Sequence, residues 1–460
     1  MRSSRYPLAR RLAVVLALAL ALPALPVVAT PLPAVVEPLL RTAPLGVGHT
    51  AQDLLDGVQL VGVTWDAGDP QVAVRWRTPR GWTAWEPVEQ DSGSVDVEDR
   101  AGTRPGTAPV FRPRDAVAVA VQLGGEVRGA ELVQVGDGEV RGGGVALGLP
   151  AARAAVQHGA LGTVHTRADW GADERLRRGS PAYASRVEAV VVHHTAGSND
   201  YRPEDVPARI RADYAYHVRS RGWSDLGYNL VLDKWGRIWE GRAGGLGRAT
   251  VGTHAAGFNT GTLGVSVLGD YTRATPGNAL LTSLARVSAY AAQTWRWDPG
   301  SSVVLRSGGS PRFPKGQVVT LPRVHGHGDN GRTACPGTIA DRLPVVRDRA
   351  RVLLAGPPAV TALTTAGSPV HAPAPFSLDA RLSREAWWAV VVHDAVGREV
   401  ARTGGRSAAP SLRWDGLSGG VPLPAPPGRY TWTLEVDDGI FPVVRRSGPL
   451  DVGTPVVPLG

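Results

Sequence analysis

Three β-branched residues run directly into two histidines in the stretch Val190-Val191-Val192-His193-His194-Thr195. Because β-branched residues favour strands, this stretch predicts a buried strand that presents imidazoles at its end. A matching piece lies far downstream, where His325-Gly326-His327 is followed by Cys335-Pro336-Gly337. A thiolate and two imidazoles from separated segments can fill three corners of a zinc tetrahedron and leave the fourth for water. An open fourth position is typical of a catalytic zinc site rather than a structural one.

The residues alone do not decide which histidine of each pair would bind the metal. His193 and His194 are consecutive and point to opposite faces of a strand. The competing interpretation is that the histidines pack or hydrogen-bond in the core and that Cys335 is a buried apolar thiol. Cys335 is the only cysteine of the 460 residues and cannot form an intramolecular disulfide. Taken together, the set favours a metal site.

The amino terminus has the layout of a secretory signal peptide. Four arginines precede an apolar run from Leu12 to Leu22, and Pro23 and small residues follow. This pattern predicts a signal peptide over residues 1–29, cleaved after Ala29. An uncleaved membrane anchor is the alternative, but Pro23 and Pro26 stop the run short of the roughly 20 residues that a span needs. We therefore expect a secreted protein with no transmembrane span after cleavage.

The chain carries a formal net charge of +9, which indicates an anionic partner. For an exported protein the expected partner is an anionic cell wall or membrane surface. A nucleic-acid binder is disfavoured by the predicted signal peptide and by the lack of a recognisable basic helix motif.

The sequence predicts three domains joined by linkers. Short strands separated by turns such as Gly68-Asp69-Pro70 indicate an all-β domain over 57–140, between linkers at 30–56 and 141–163. Residues 164–354 alternate strands with helices and predict a central α/β domain with one mixed sheet flanked by helices. A linker at 355–372 leads to strands over 373–460, interpreted as an immunoglobulin-like β-sandwich.

Two further interpretations concern tryptophans and helices. The N-terminal tryptophans could form a carbohydrate-stacking surface or could pack in the core and rim: Trp65, Trp76, Trp82 and Trp85. In the central domain the helix candidates are Glu204–Arg219, Ala279–Trp295 behind Asn278 as a possible N-cap, and Ile339–Leu353 with a kink or restart at Pro344.

Five blocks of the central domain resemble the peptidoglycan recognition protein and type 2 N-acetylmuramoyl-L-alanine amidase family. The blocks keep the family's order and spacing: Arg167 to Ala172, Val191 to Thr195, Gly222 to Tyr228, Gly236 to Arg242, and Gly326-His327 through Cys335-Pro336-Gly337. The resemblance implies peptidoglycan as partner and hydrolysis of the amide between the muramic acid lactyl group and the L-alanine of the stem peptide.

The resemblance also assigns residues at the site. It implies zinc ligands at His193, His327 and Cys335, an active-site tyrosine at Tyr228, and a second catalytic position at Thr333, where some relatives have lysine. A carboxylate that serves as base in another branch of the family would fall near residues 266–268, where no acid is present.

On this resemblance, the metal would make hydroxide available at neutral pH, and Tyr228 would donate a hydrogen bond to the developing oxyanion. Family members that only bind peptidoglycan typically lack the cysteine ligand. The resemblance therefore favours a secreted zinc-dependent amidase over the alternative, a non-catalytic zinc-containing peptidoglycan-binding protein.

Four residues are further candidates for substrate binding, each with a structural alternative. His254 falls where family members line the groove, and Asn259 lies in the same loop but could cap a turn. Trp223 could stack on substrate or fill the wall of the site. Arg242 could hold a stem-peptide carboxylate or form a salt bridge.

The C-terminal region also carries a less specific resemblance, to the immunoglobulin-like domain of the flagellar hook assembly protein. The blocks include Trp414-Asp415-Gly416 and Pro427-Gly428-Arg429-Tyr430. We interpret this region as a wall-contact or spacer module.

Overall fold

The structure is a computed structural model that describes residues 38–90, 103–137, 156–157, 161–370, 375–417, 424–439, 441 and 443–454. The predicted signal peptide and most of the predicted linker at 141–163 lie outside the described residues. Within the described part of the chain, none of the helices combines the length and the apolarity needed to cross a membrane.

The N-terminal region is a β-structure of two main sheets. One sheet has the strand order β1-β11-β3-β8, the other β2-β9-β5-β6 with β7 also paired to β5, and β4 pairs with β10. The strands are β1 (Leu39–Pro44), β2 (Gly48–Asp53), β3 (Val58–Thr64), β4 (Ala67–Gly68), β5 (Gln71–Thr78), β6 (Gly81–Trp82), β7 (Glu86–Val88), β8 (Val110–Phe111), β9 (Ala118–Gly124), β10 (Val127–Arg128) and β11 (Glu131–Gly136).

The N-terminal tryptophans divide between the core and the surface. Trp65 and Trp76 are buried in the cluster that also holds Val119 and Leu132, so packing is the correct interpretation for these two. Trp82 is 40% exposed. The guanidinium of Arg75 lies over the rings of both Trp82 and Trp85, at 4.8 and 4.5 Å from their centroids.

The prediction of a linker over 30–56 is wrong for residues 39–53, which form β1 and β2. Both strands are largely exposed, and each pairs along its length with a better buried strand: β1 with β11 and β2 with β9. Their sequences hold few β-branched residues, so pairing partners rather than local propensity make them strands.

The central region contains a seven-stranded mixed sheet in the order β12-β13-β16-β15-β17-β14-β20. Its strands are β12 (Val156–Gln157), β13 (Thr163–His165), β14 (Ala189–His194), β15 (Leu230–Leu232), β16 (Ile238–Glu240), β17 (Thr262–Val267) and β20 (Val324–Gly326). A separate hairpin joins β18 (Ser302–Arg306) to β19 (Val318–Pro322), which the sequence analysis does not predict. Every residue of β14 is buried, as expected for an inner strand with parallel neighbours on both sides.

The helices follow the sequence pattern closely. They are α1 (Val206–Ala215), α2 (Asn278–Trp295), α3 (His327–Asn330) and α4 (Leu343–Ala355). The predicted helix over 204–219 is observed as a 3-10 turn, α1 and a single π-helical turn at Tyr216–Ser220. The restart expected at Pro344 is confirmed, because a 3-10 segment, Gly337–Arg342, ends where α4 begins. Gly277, not Asn278, is the N-cap of α2.

The N-terminal and central regions share one hydrophobic cluster. Leu60, Phe111 and Val135 from the N-terminal sheets pack with Ile210 and Tyr216 of the central region. The Tyr216 ring lies against Gly62 of β3, where a Cβ atom would collide with it. The all-β and α/β fold classes predicted for these two regions are confirmed, and this cluster joins the two regions.

The C-terminal region has two sheets, in the orders β21-β22-β25 and β24-β23-β26-β27. Its strands are β21 (Val360–Ala366), β22 (Phe376–Leu382), β23 (Ala386–His393), β24 (Glu399–Ser407), β25 (Ser411–Trp414), β26 (Gly428–Asp437) and β27 (Val444–Val452). A separate cluster that includes Leu378, Val390 and Leu434 fills its core. The predicted linker at 355–372 is wrong for residues 360–366, because β21 is a mostly exposed edge strand paired with β22.

Candidate metal centre

Two neighbouring parallel strands bring the histidines together. β14 and β20 pair in the register Val190 with Val324 and Val192 with Gly326. Because the carboxyl ends of parallel strands lie at the same edge of a sheet, the residues that follow these pairs become neighbours. The imidazoles of His193 and His327 accordingly lie with their ring centroids 4.5 Å apart.

The third donor comes from the loop that follows α3. Gly328 N donates to Cys335 O at 2.7 Å, which closes the loop back on its own start. Gly337 completes the turn with φ +64, and a Cβ there would collide with the carbonyl of Tyr271. The sequence thus returns Cys335 to the strand edge where His327 stands.

The three donors fit a single zinc ion. The ligand atoms of His193, His327 and Cys335 all lie within 4.8 Å of one another. The Sγ atom of Cys335 is 3.9 Å from Nδ1 of His193. Donors on a zinc tetrahedron are roughly 3.3–3.6 Å apart, given the usual Zn–N and Zn–S bond lengths. Small side-chain movements would therefore complete the site.

The other two histidines of the pairs have structural partners. Nδ1 of His194 accepts a hydrogen bond from Tyr271 N at 3.0 Å. Nδ1 of His325 donates to Pro322 O at 2.8 Å, so its Nε2 is free to accept from the Asn330 amide at 3.1 Å. Within the two pairs, it is His193 and His327 that the fold gathers around the thiol of Cys335.

Burial keeps the imidazoles neutral. It lowers the pKa of His193 well below its usual range, and the neighbouring His327 and His254 add to the effect. Burial likewise lowers the pKa of His327 to about 4, with a further contribution from His325. A neutral imidazole is the form that binds a metal, so these side chains are ready for ligation at pH 7.

His254 contacts the imidazole of His193. Its Nδ1 lies 3.1 Å from Nε2 of His193, on the side of that ring away from Cys335. Burial lowers the pKa of His254 to about 3, so its neutral Nδ1 can accept the Nε2 proton of His193. Partners of this kind fix the orientation and tautomer of a metal-binding histidine. His254 is only 3% exposed, and the groove-lining position expected for it is not what the structure shows.

The remaining substrate-binding candidates are also buried. Asn259 is fully buried, and its Oδ1 accepts from the backbone N–H groups of His254 and Ala255, so it caps the turn. Trp223 is 2% exposed and stacks on His217 at 4.3 Å. The guanidinium of Arg242 donates to Leu226 O, Thr253 Oγ1 and Ser224 Oγ. These three residues build the wall behind the site and present little surface to a ligand.

The two predicted catalytic residues border the metal donors. The ring centroid of Tyr228 lies 5.3 Å from that of His193. Oγ1 of half-buried Thr333 accepts from Cys335 N at 3.0 Å. The Thr333 hydroxyl also meets Glu89, a residue of the N-terminal region that sequence reasoning missed.

Two stretches of the chain match families of known proteins. Residues 183–338 match the family described as N-acetylmuramoyl-L-alanine amidase. Residues 22–137 match the family described as Rv3811 N-terminal galactose-binding domain-like.

Individual relatives and solved structures each match about 38% of the chain. Peptidoglycan recognition protein 1 of Bos indicus is 34% identical over 183 residues, which cover 38% of this chain and 79% of that protein. Peptidoglycan-recognition protein SC2 of Drosophila simulans is 29% identical over 176 residues, 38% of this chain and 81% of that protein. Among solved structures, Drosophila PGRP-LB aligns at 23% identity over 38% of this chain and 87% of its own, with a TM-score of 0.30.

The mixed sheet, with two imidazoles and a thiol at one edge, defines an amidase-type domain with a candidate metal centre. At 34% identity over most of the bovine relative, the chain belongs to the peptidoglycan recognition protein family.

Proposed function

We propose that this protein is a secreted zinc-dependent N-acetylmuramoyl-L-alanine amidase. It hydrolyses the amide between the lactyl group of muramic acid and the L-alanine of the peptidoglycan stem peptide. One observation carries the proposal: His193, His327 and Cys335, from separate segments, hold their ligand atoms within 4.8 Å of one another. The match of residues 183–338 to the amidase family supports the reaction type.

Zinc held by these donors supplies Lewis-acid chemistry, polarising a carbonyl and making hydroxide available near neutral pH. The chain's own residues hold the ligand set in place. His254 accepts from Nε2 of His193, and His194 N donates to Cys335 Sγ at 3.3 Å. An N–H group directed at sulfur favours the thiolate, which is the form that binds a metal.

Tyr228 is proposed to bind the developing oxyanion. Its ring lies beside His193 and is 9% exposed, so its hydroxyl acts in a largely water-excluded site. A hydrogen bond donated there strengthens as negative charge grows on the amide oxygen. Water adds to the carbonyl carbon, the carbon–nitrogen bond breaks, and the amino group of L-alanine leaves with a proton. Thr333 is proposed to position the water or the substrate.

Substitution of Cys335 by serine tests the metal centre and the reaction together. A serine hydroxyl is a poor zinc ligand, so Cys335→Ser is expected to lower bound zinc from one ion per chain and to abolish release of stem peptides from purified peptidoglycan. Wild-type protein stripped with a chelator and then reloaded with zinc is the control. A Cys335→Ser protein as active as wild type would refute the assigned ligand. Wild-type protein that binds zinc and peptidoglycan but releases no peptide would instead be a binding protein.

The same proposal covers location and partners. The net charge of +9 suits an anionic cell wall, and the pattern of residues 1–29 suits export. The two-sheet C-terminal region is proposed to be an immunoglobulin-like wall-contact or spacer module, as its resemblance to the flagellar hook assembly domain suggests.

A further inference from the structure

One carboxylate of the N-terminal region reaches the loop that carries the sulfur donor. Glu89 directly follows β7, and its Oε1 accepts from Ala334 N at 2.8 Å. Its Oε2 accepts from the Thr333 hydroxyl. Thr333 Oγ1 in turn accepts from Cys335 N at 3.0 Å. Glu89 therefore holds the donor loop directly at Ala334 and, through Thr333, at the backbone of Cys335.

The position of Glu89 is fixed from its own side. Ala108 N donates to Glu89 O at 3.0 Å, and Gln90 forms a β-bridge with Thr107. On the same strand, partial desolvation raises the pKa of the exposed Glu86 carboxyl, and nearby Asp270 raises it further. The β7 segment thus runs close to two loops at the sheet edge where the metal donors gather.

Independent contacts lock the N-terminal region to the central region. The guanidinium of Arg211 on α1 makes a bidentate ion pair with Asp137, at 2.7 and 2.9 Å through Nη2. The Tyr216 hydroxyl donates to Thr107 O at 2.9 Å. Since Thr107 also bridges Gln90, the anchor in the shared core lies close in the fold to Glu89. Because Glu89 is anchored by these contacts, its carboxylate can fix the position of the loop that carries Cys335.

The hydrogen bonds that link Glu89, Thr333 and Cys335 have mutually consistent directions. A carboxylate oxygen accepts hydrogen bonds, so the Thr333 hydroxyl is the donor in its hydrogen bond with Glu89. The lone pairs of Thr333 Oγ1 are then available to the N–H of Cys335. Charge-assisted hydrogen bonds of this type are roughly twice as strong as neutral ones.

We propose that Glu89 is a positioning residue for the metal centre: the N-terminal region uses it to set the 333–335 loop so that Cys335 and Thr333 hold their working geometry. The catalytic half of this inference rests on the proposed amidase function, whereas the effect on metal binding does not. The N-terminal region is thereby part of the active unit and not a separate wall-binding module.

The test compares full-length Glu89→Ala and Glu89→Gln with wild type, with Glu126→Gln as matched control. Glu126 is an exposed carboxylate of the same region, in the turn between β9 and β10. Zinc affinity is measured by chelator competition, and kcat and KM are measured on soluble muramyl peptides. Loss of a residue that orients a ligand typically lowers metal affinity or activity by about 10–100-fold.

Glu89→Ala is expected to weaken zinc binding by about tenfold and to lower kcat with little change in KM. Glu89→Gln is expected to lie between wild type and Glu89→Ala, because its amide oxygen can still accept from Ala334 N. Glu126→Gln should match wild type. Adding Thr333→Val to Glu89→Ala is expected to cost less than the sum of the two single changes, because both act through one chain of hydrogen bonds.

Three results would overturn the proposal. They are unchanged zinc affinity in both Glu89 variants, additive effects of Glu89→Ala and Thr333→Val, or a rise in kcat, which would make Glu89 a blocking group. A wild-type protein without amidase activity whose zinc affinity still falls on Glu89→Ala would refute the proposed function alone.

Discussion

At the residue scale, the candidate metal centre is built so that its donors have little freedom to turn away. Nε2 of His193 contacts His254, and His254 is held by the backbone bonds that Asn259 makes around it. Sγ of Cys335 receives the N–H of His194, the neighbour of the first ligand. Such preorganisation lowers the cost of assembling the site when a metal arrives.

Replacing Tyr228 by phenylalanine removes the proposed oxyanion donor and leaves the ring that packs beside His193. The kcat for amide hydrolysis is expected to fall by about 10²–10³, the usual effect of losing one such donor. Zinc stoichiometry should stay at the wild-type value, because the tyrosine is not a ligand. Tyr290→Phe on α2 provides a matched control with no expected change. Wild-type kcat in Tyr228→Phe would exclude the oxyanion role.

The buried histidines predict a pH dependence for the metal-free protein. Burial lowers the pKa of His254 to about 3 and of His327 to about 4. Between about pH 6.5 and these values the unfolded chain takes up protons that the folded chain does not, so stability falls as pH falls. Each such histidine contributes a slope of about 1.4 kcal/mol per pH unit below its unfolded pKa.

Urea unfolding of chelator-treated protein, measured between about pH 7 and about pH 5, checks this expectation, since most carboxylates stay ionised there. His254→Gln should show a shallower slope than wild type. Equal slopes in the two proteins would mean that His254 is not held neutral in the folded state.

At the element scale, the sequence predicted the strand and the loop that carry the metal donors, because both are encoded by local sequence pattern. The β-branched run before His193 specifies an inner strand, and the spacing from His327 to Cys335 specifies a loop back to its end. The same pattern could not decide whether His193 or His194 is the metal ligand. That choice depends on which side of β14 faces β20 and the thiol of Cys335. Edge strands β1, β2 and β21 were missed because their hydrogen-bond partners, not their own residues, hold them extended.

The role of Glu89 could not be predicted from the local sequence pattern. Glu89 stands 244 residues before Thr333, in a region with no motif that marks it. Only the shared core, which docks β3 and β8 against α1 and the π-helical turn that follows it, brings the two together.

That shared core makes an element-scale prediction about Phe111 on β8. Phe111 is fully buried, and the Arg209 guanidinium lies 5.0 Å from its ring centroid. Phe111→Ala should destabilise by about 3–5 kcal/mol, the range for a large aromatic removed from a core. Because the cluster spans both regions, the unfolding of the N-terminal sheets and the release of zinc are expected to shift together.

The matched control is Leu378→Ala, in the separate C-terminal cluster. It should destabilise the C-terminal region without changing zinc release. If Phe111→Ala unfolded the N-terminal sheets while zinc binding kept its wild-type midpoint, the two regions would not be one cooperative unit.

At the scale of the whole molecule, the described residues of the N-terminal and central regions share a hydrophobic cluster, whereas the C-terminal region has a cluster of its own. The N-terminal and central regions are joined by the cluster of Leu60, Phe111 and Tyr216. The residues of the C-terminal cluster all lie between 360 and 452. α4 ends at Ala355, and the backbone of Gly356 turns away with φ +78. This boundary is the natural place to divide the chain.

A protein that ends at Gly356 is therefore expected to fold, to bind zinc with wild-type affinity, and to cleave soluble muramyl peptides at the wild-type rate. If the C-terminal region contacts the wall, the same protein should lose activity on intact peptidoglycan, where attachment raises the local enzyme concentration. The matched comparison is a protein that lacks residues 1–137, which should be less stable because Leu60, Phe111, Val133 and Val135 of the shared cluster are gone. Equal activity of the shortened and full-length proteins on intact peptidoglycan would make the C-terminal region a spacer. Loss of activity on soluble peptides would mean that the C-terminal region supports the amidase domain itself.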